Sequence, residues 1–358
     1  MRIGVYDPYL DDMGGGEKYM LTLASCLSKE HEVTLFWDTP EDLTRVNKRF
    51  TVDISKIKLA SNIFSPKVSS IRRIIESKKY DVMIVLSDGS IPFVLSKKLF
   101  IHVQQPIPGA KTSMKTKFKL GRVDKVFCNS YFSKSFVDKQ LGIDSVVIYP
   151  PVELHPKKVK KENMILHVGR FRAKNVGVSD YKKQDVMVEV FKNIAKKIKG
   201  WKFVLAVGVN DGDEDAFGKL KNKAEGAPIE FLVNQTNNGL WDLYSKAKIY
   251  WHASGFGENL DEHPEFTEHF GISTVEAMGA GVVPVVINAG GQREIVEDNV
   301  SGFLWNTLGE LEEKTLLLCS EEKIWDGMST QAGKRARDFA GYRFCEEIKR
   351  IVEGSSNN

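Results

Sequence analysis

The 358 residues of the chain suffice for two domains of ordinary size. With 42% hydrophobic and 27% charged residues, it reads as a soluble globular protein rather than a disordered or membrane-spanning one. Net charge is only +4, yet residues 1–150 hold 23 lysines and arginines against 16 acids, and the remainder 28 against 31.

The first segment, Arg2–Tyr6, is a short apolar run that predicts a strand and not a signal peptide. Further strands are expected at Val33–Trp37, Val82–Leu86, Leu99–Val103, Val126–Asn129 and Val146–Tyr149. Between several of them the apolar spacing turns helical, at Glu17–Ser28, Val68–Ser77 and Ser133–Gln140. Near-continuous apolar strands separated by helices predict a parallel sheet covered on both faces. The pattern breaks at Pro150-Pro151 and the lysine-rich Lys157–Glu162, which places a linker there.

The alternation then restarts. Strands are expected at Met164–Val168, Phe203–Val207, Ile229–Val233, Ile249–Trp251 and Val282–Ile287. Helices are expected at Gln184–Lys197, Gly239–Lys246, Ser273–Ala280, Gln292–Glu297 and Glu322–Phe339. A last amphipathic segment, Tyr342–Glu353, can pack on either unit. The pattern predicts two consecutive doubly wound α/β domains, with ligands at the carboxyl ends of strands. Cys26, Cys128, Cys319 and Cys345 are widely separated in apolar surroundings. They read as reduced core thiols of a cytosolic protein, not as a disulfide frame or a zinc site.

Four stretches carry chemistry. Gly14-Gly15-Gly16-Glu17 opens the first helix, where bare backbone and helix N–H groups suit a phosphate; a flexible turn explains the same residues. The G-x-G-x-x-G spacing of a dinucleotide site is absent, which argues against a dehydrogenase. In mid-chain Arg170 follows a strand and Lys182, with Lys183 beside it, stands at the next helix start. Two cations at one edge suit a diphosphate leaving group, whose charge grows as its bond breaks; solvated surface charges are the plain alternative. In Glu268–Gly281, two carboxylates surround a glycine turn into a helix, and a carboxylate is a good partner for vicinal hydroxyls. Ser273-x-x-Glu276 also reads as a capping box, in which Glu276 only completes the helix start.

The fourth stretch, Gly109–Lys125, interleaves Lys111, Lys115, Lys117, Lys119, Arg122 and Lys125 with Met114, Phe118 and Leu120. It is either a solvated loop or a face for anionic lipid or an anionic acceptor. Asp211–Asp215 contains Asp-x-Asp pairs but reads as a polar loop of solvated acids, and the seven histidines lack zinc spacing. No metal is expected.

Three of these blocks, with Phe127–Ser133, Val147–Val152 and Gly290–Val296, resemble the retaining glycosyltransferases of family 4 over nearly the whole chain. The resemblance implies the α/β GT-B fold, two Rossmann-like doubly wound parallel-sheet domains facing a cleft. Residues 1–155 would serve the acceptor, with helix 342–353 able to pack back on them, and residues 156–341 the nucleotide-sugar donor. By the same resemblance Arg170 and Lys182 bind the donor diphosphate and stabilise it as it leaves; Lys182 fits the register ahead of Phe191, and the adjacent Lys183 is the alternative for that role. Glu276 holds the ribose hydroxyls, Glu268 the transferred sugar, and the backbone N–H groups of Phe270, Gly271 and Ile272 the sugar and phosphate. Gly15 and Gly16 approach the diphosphate, and His102 contacts the sugar, although a histidine ending a strand is often a buried hydrogen-bonding residue.

The sequence departs from the family pattern at an insertion, Arg172–Tyr181, and at Ser254–Thr267, which together with His252 is expected to shape the sugar pocket through Glu258, Asp261 and Glu262. The implied activity is metal-independent transfer of a hexose-type sugar from a UDP-, GDP- or ADP-sugar to a glycan, glycolipid or lipid-linked acceptor. No obligatory cofactor and no nucleic-acid partner are expected. The expected location is cytoplasmic, with peripheral contact to an anionic membrane surface at the inner face of the plasma membrane. A nucleotide-sugar epimerase, a glycoside phosphorylase and a non-catalytic nucleotide-sugar-binding partner share the layout.

Overall fold

The computed structural model describes residues 1–354 apart from 13, 51, 108–112 and 172–180, and apart from the side chains of 47–49 and 115. Lys111 and most of the insertion after Arg170 lie outside the described residues. The chain divides into two compact units, each built on one sheet.

The first unit runs from Met1 to Pro151 and takes back the C-terminal helix. It begins β1 (Arg2–Tyr6), α1 (Gly15–Ser28), β2 (Glu32–Phe36), α2 (Pro40–Phe50), β3 (Lys58–Ala60) and α3 (Ser70–Ser77). It continues β4 (Val82–Leu86), β5 (Lys98–Val103), α4 (Met114–Leu120), β6 (Lys125–Cys128), α5 (Tyr131–Leu141) and β7 (Val146–Val147). The strand order is β3-β2-β1-β4-β5-β6-β7, all neighbours parallel. All five residues of β4 are buried, as a strand covered on both faces requires.

The second unit spans Val152–Ala340. Its first half is β8 (Met164–Phe171), α6 (Gln184–Ile194), β9 (Lys202–Val209), α7 (Glu214–Ala224), β10 (Ile229–Val233) and α8 (Asn237–Lys246). Then follow β11 (Ile249–His252), α9 (Ile272–Gly279), β12 (Val283–Ile287), α10 (Gln292–Ile295), β13 (Phe303–Trp305), α11 (Leu308–Ser320) and α12 (Glu322–Ala336). The parallel strand order is β10-β9-β8-β11-β12-β13. Trp251, Phe191, Phe203 and Trp305 fill its core, and the Trp251 indole donates to Thr315 Oγ1 at 3.0 Å. Burying these rings stabilises the unit, because removing apolar surface from water is the main force driving folding.

The final helix, α13 (Gly341–Glu353), buries Phe344, Ile348 and Val352 in the first core. Its contact with α1 corrects the expectation for the cysteines. Cys26 and Cys345 form a disulfide across 319 residues, with their Cα atoms 5.4 Å apart. Cys128 and Cys319 remain free thiols. The pairing arises from two helices meeting in space, which spacing along the chain does not encode, and it removes the cysteine argument for a reducing compartment.

Two local expectations also change. β8 continues to Phe171 in register with Val209, so Arg170 lies inside the strand rather than past its end. Asp211–Asp215 is not simply a solvated loop: buried Asp213 stands at the N-cap position of α7, and Glu214 and Asp215 occupy its first turn, where acids complement the exposed N–H groups.

Candidate active site

In each sheet the strand order reverses at one central strand, and ligands of such sheets are received at the carboxyl ends beside that reversal. In the second unit the reversal lies at β8, between β9 and β11. Arg170 stands near the end of β8 and His252 ends β11. Lys182 precedes α6, and Glu268 lies on the loop before α9.

These side chains converge. Lys182 Nζ donates to Glu268 Oε2 at 2.7 Å, and His252 Nε2 donates to the same oxygen at 3.2 Å. Burial alone would raise the Glu268 carboxyl, but the Lys182 ammonium and the His252 ring outweigh it and hold it well below the usual range. For Lys182, burial pushes the ammonium down, and Glu268 with Tyr181 brings it above its ordinary value. Arg170 is close enough to act on Lys182 in the opposite sense, so two cations share this edge. Burial lowers His252 against the pull of Glu268, which leaves the ring neutral with its Nε2 hydrogen on the carboxylate. A neutral scaffold lies beneath. Burial pushes His167 down to about 3; its Nδ1 donates to Trp251 O at 3.0 Å, and its Nε2 accepts from Gln184 at 3.3 Å.

Helix α9 begins after Gly271, whose φ of +123° no side-chain-bearing residue adopts readily. Ser273 therefore lies inside the helix and the expected capping box does not form. Glu276 instead accepts from Tyr244 OH at 3.0 Å, while Ser273 Oγ meets Tyr250 OH at 2.8 Å. The N–H groups of Ile272 and Ser273 belong to the first turn, for which a helix supplies no acceptor of its own. The Gly290-Gly291 turn supports this loop. Gly291 N donates to Glu268 O at 2.8 Å. A Cβ on Gly290 would fall 2.2 Å from Glu268 O, and one on Gly291 2.4 Å from Phe270 Cα. The Phe270 ring itself packs in the core, 5.5 Å from Phe339.

In the first unit, Gly15 is exposed and Gly16 half-buried at the start of α1. A Cβ on Gly16 would fall 2.3 Å from the Gln104 side-chain oxygen, so a larger residue there would have to displace the end of that side chain. His102 is fully buried, stacked 4.1 Å from Tyr19 and 4.8 Å from Phe127. Its Nδ1 donates to Phe127 O at 3.1 Å, and burial pushes it down to about 3. The ring is thus neutral and held by the core, and its Nε2 has no hydrogen-bond partner among the described residues. Asp261 and Glu262 are exposed and stand outside the cluster, whereas Glu258 pairs with Lys183. Among the described residues no group of three or more His, Cys, Asp or Glu is placed to hold a metal.

The family model for glycosyl transferases group 1 matches residues 153–338, which contain this cluster. The chain belongs to that family. The model for Glycosyltransferase Family 4 matches residues 13–155. A GDP-Man:Man(3)GlcNAc(2)-PP-Dol alpha-1,2-mannosyltransferase of Dictyostelium discoideum is 31% identical over 60% of this chain and 43% of its own length. The chain thus spans less than half of that relative. A GalNAc-alpha-(1->4)-GalNAc-alpha-(1->3)-diNAcBac-PP-undecaprenol alpha-1,4-N-acetyl-D-galactosaminyltransferase of Campylobacter jejuni is 24% identical over 96% of both chains. Among solved structures, Anabaena HepE in complex with UDP and glucose has a TM-score of 0.70 at 18% identity, covering 99% of this chain and 100% of that one. A glycosyltransferase from Rickettsia africae has a TM-score of 0.71 at 17% identity, covering 99% of each. These likenesses carry the fold, two Rossmann-like parallel-sheet units of the GT-B class.

Within this family member, Tyr244 and Tyr250 support the site without a signal in the sequence, and His167 and Gln184 support it from within the Arg170 and Lys182 blocks, where no role was read for them. Each reads there as an ordinary apolar-segment or helix-start residue. In the first unit, Asp7 directly after β1 is a buried acid that the sequence reading also passed over. It is buried, with Oδ1 accepting from Tyr9 N at 2.9 Å and Oδ2 lacking a hydrogen bond. Burial, then the charge of Glu17, push its carboxyl up to about 8. Between about pH 4 and 8 the native state holds a proton that the unfolded chain has released, so stability falls as pH rises through this window. The Asp7→Asn protein should resist urea better than wild type at pH 8, by more than about 1 kcal/mol. That advantage should close near pH 4. An advantage independent of pH would contradict the assignment.

Proposed function

We propose that the chain is a retaining, metal-independent glycosyltransferase of family 4, moving a hexose-type sugar from a nucleotide diphosphate sugar to a glycan, glycolipid or lipid-linked acceptor. The observation that carries this reading is the meeting of Arg170, Lys182 and an ionised Glu268 at the reversal point of the second sheet. In the proposed reaction the bond from sugar C1 to the diphosphate oxygen breaks, and its electron pair leaves with the diphosphate. Arg170 and Lys182 stabilise that growing charge, and they do so in a half-buried setting where each charge counts for more than in water. The acceptor oxygen bonds to C1 on the same face, and its proton passes to the departing phosphate oxygen.

Glu268 would accept from hydroxyls of the transferred sugar, and Glu276 from the ribose. Backbone N–H groups at Phe270, Gly271 and Ile272 would meet sugar and phosphate at the start of α9. Gly15 and Gly16 would serve the diphosphate from the first unit, to which acceptor binding is also assigned. His102 would offer its Nε2 to the sugar. Both sequence relatives name a glycan on a polyprenyl-type diphosphate, which supports a lipid-linked acceptor. One names GDP-Man and a structural neighbour holds UDP, so both bases belong in the first screen. Arg170→Ala and Lys182→Ala should each lower transfer roughly 100-fold or more, with wild-type activity unchanged by chelator. Transfer near wild type in both variants would overturn the phosphate assignment. Nucleotide release that requires acceptor would separate a transferase from an epimerase, and release without added phosphate from a phosphorylase.

The same reading includes a cytoplasmic protein docked on anionic membrane. No helix among the described residues is long and apolar enough to cross a membrane. On α4, Met114 and Phe118 are 88% and 72% exposed one turn apart, in a stretch without acids from 109 to 123. On α3, Ile71 and Ile75 repeat that spacing, exposed beside Arg72. Apolar side chains ringed by cations match an anionic bilayer surface. Wild type should sediment with vesicles containing phosphatidylglycerol and Phe118→Glu should not. Equal recovery with purely zwitterionic vesicles would remove the membrane assignment.

A further inference from the structure

Lys183 and Glu258 are left over from the site just described, and their geometry is unusual. Three non-glycine residues among those described have a positive φ: Lys183 at 56°, Asn234 at 51° and Asn299 at 62°. Asparagine enters that region readily because its short amide bonds locally; lysine has no such means, so its conformation must be held by something else. An ion pair supplies that hold. Lys183 Nζ pairs with Glu258 Oε1, both side chains being only 16% exposed. Lys183 is also the N-cap position of α6, directly after Lys182.

Glu258 lies on the loop 254–267, which joins β11 to Glu268. That loop and the Glu268 it leads to are fastened to residues 181–183 at four places. Gly255 N donates to Tyr181 O at 3.0 Å. Glu258 pairs with Lys183, Phe266 stacks on Tyr181 with centroids 6.5 Å apart, and Glu268 pairs with Lys182. Thr267 Oγ1 closes the base of the loop on Ser254 O at 3.2 Å. Of the four, the Lys183–Glu258 pair is the fastening farthest from the base, and it alone reaches the middle of the loop.

We infer that the Lys183–Glu258 pair is a clamp that sets loop 254–267 as a wall of the donor-sugar pocket. The two are positioning residues for recognition of the sugar rather than of the nucleotide. The inference rests on the functional reading above. It follows from placement: the clamp holds the loop that delivers Glu268, the residue assigned to the sugar, while Arg170 and the α9 N-terminus are held by other contacts. Releasing the clamp should therefore loosen the sugar side and leave the diphosphate side in place.

The test has two arms. Hydrogen exchange on the ligand-free protein compares wild type with Glu258→Gln and Lys183→Gly, the latter keeping the backbone conformation without the pair. Amides of 254–267 should exchange at least tenfold faster in both variants, with the β-sheet cores unchanged. Unchanged loop exchange would overturn the clamp, whatever binds. Calorimetry then compares UDP with UDP-glucose and GDP with GDP-mannose. Each variant should lose about tenfold or more in affinity for the sugar nucleotide that wild type binds, and less than threefold for its diphosphate. The reversed pair, Lys183→Glu with Glu258→Lys, should restore part of the loss. Equal losses for both ligands would overturn the specificity role. Failure of wild type to bind any of the four would fall on the functional reading, with the exchange arm still deciding the clamp.

Discussion

A carboxylate taken out of water stays ionised only if a cation stands beside it, and Glu268 meets that condition through Lys182 at 2.7 Å. The dependence is mutual, since the lysine is as enclosed as its partner and holds its proton because of it. Removing either member would leave the other as an uncompensated charge, which is far costlier than the pair is favourable. The rest of the second unit serves this constraint. The sheet reversal at β8 brings two loop regions 86 residues apart in sequence to one edge, and the Gly290-Gly291 turn lets the backbone of Glu268 and Phe270 settle against it.

Arg170 and Lys182 repel one another, and a diphosphate placed between them would relieve that repulsion and bind more strongly as its leaving charge develops. Glu268 can then accept from hydroxyls, because it stays ionised. The neutral His252 adds a hydrogen bond to the carboxylate without adding a positive charge that would compete with the lysine. Under the proposed function such a site would separate its tasks, with cations for phosphate, carboxylates for hydroxyls and helix N–H groups for either.

Much of this was legible in the residues. Arg170, Lys182, Glu268 and Glu276 stand in blocks whose chemistry can be read from residue type, and apolar runs such as Val82–Leu86 mark buried parallel strands without ambiguity. Other features depend on contacts between distant segments. The pairing of Cys26 with Cys345 needs α1 and α13 side by side. Glu276 escapes its capping role because Gly271, not Ser273, begins the helix and Tyr244 supplies another donor. His102 sits among Tyr19 and Phe127 because β5 is a central strand, and its position at a strand end carried no information about how its ring is covered. The short helices α2 and α7 went unread because their segments are largely polar. Local signs of a helix start were limited to acids in the first turns, Glu41, Asp42, Glu214 and Asp215, and to Pro40 as the first residue of α2.

The most direct test of the central claim, that the Lys182–Glu268 pair organises a nucleotide-diphosphate-sugar site, is calorimetric titration of UDP and GDP in the presence of chelator. Wild type should bind one of the two. Lys182→Met should weaken that binding at least tenfold, while Glu268→Gln should keep the diphosphate within a few-fold and lose the added affinity of the matching sugar conjugate. Binding of neither nucleotide by wild type, or undiminished binding by Lys182→Met, would contradict the account.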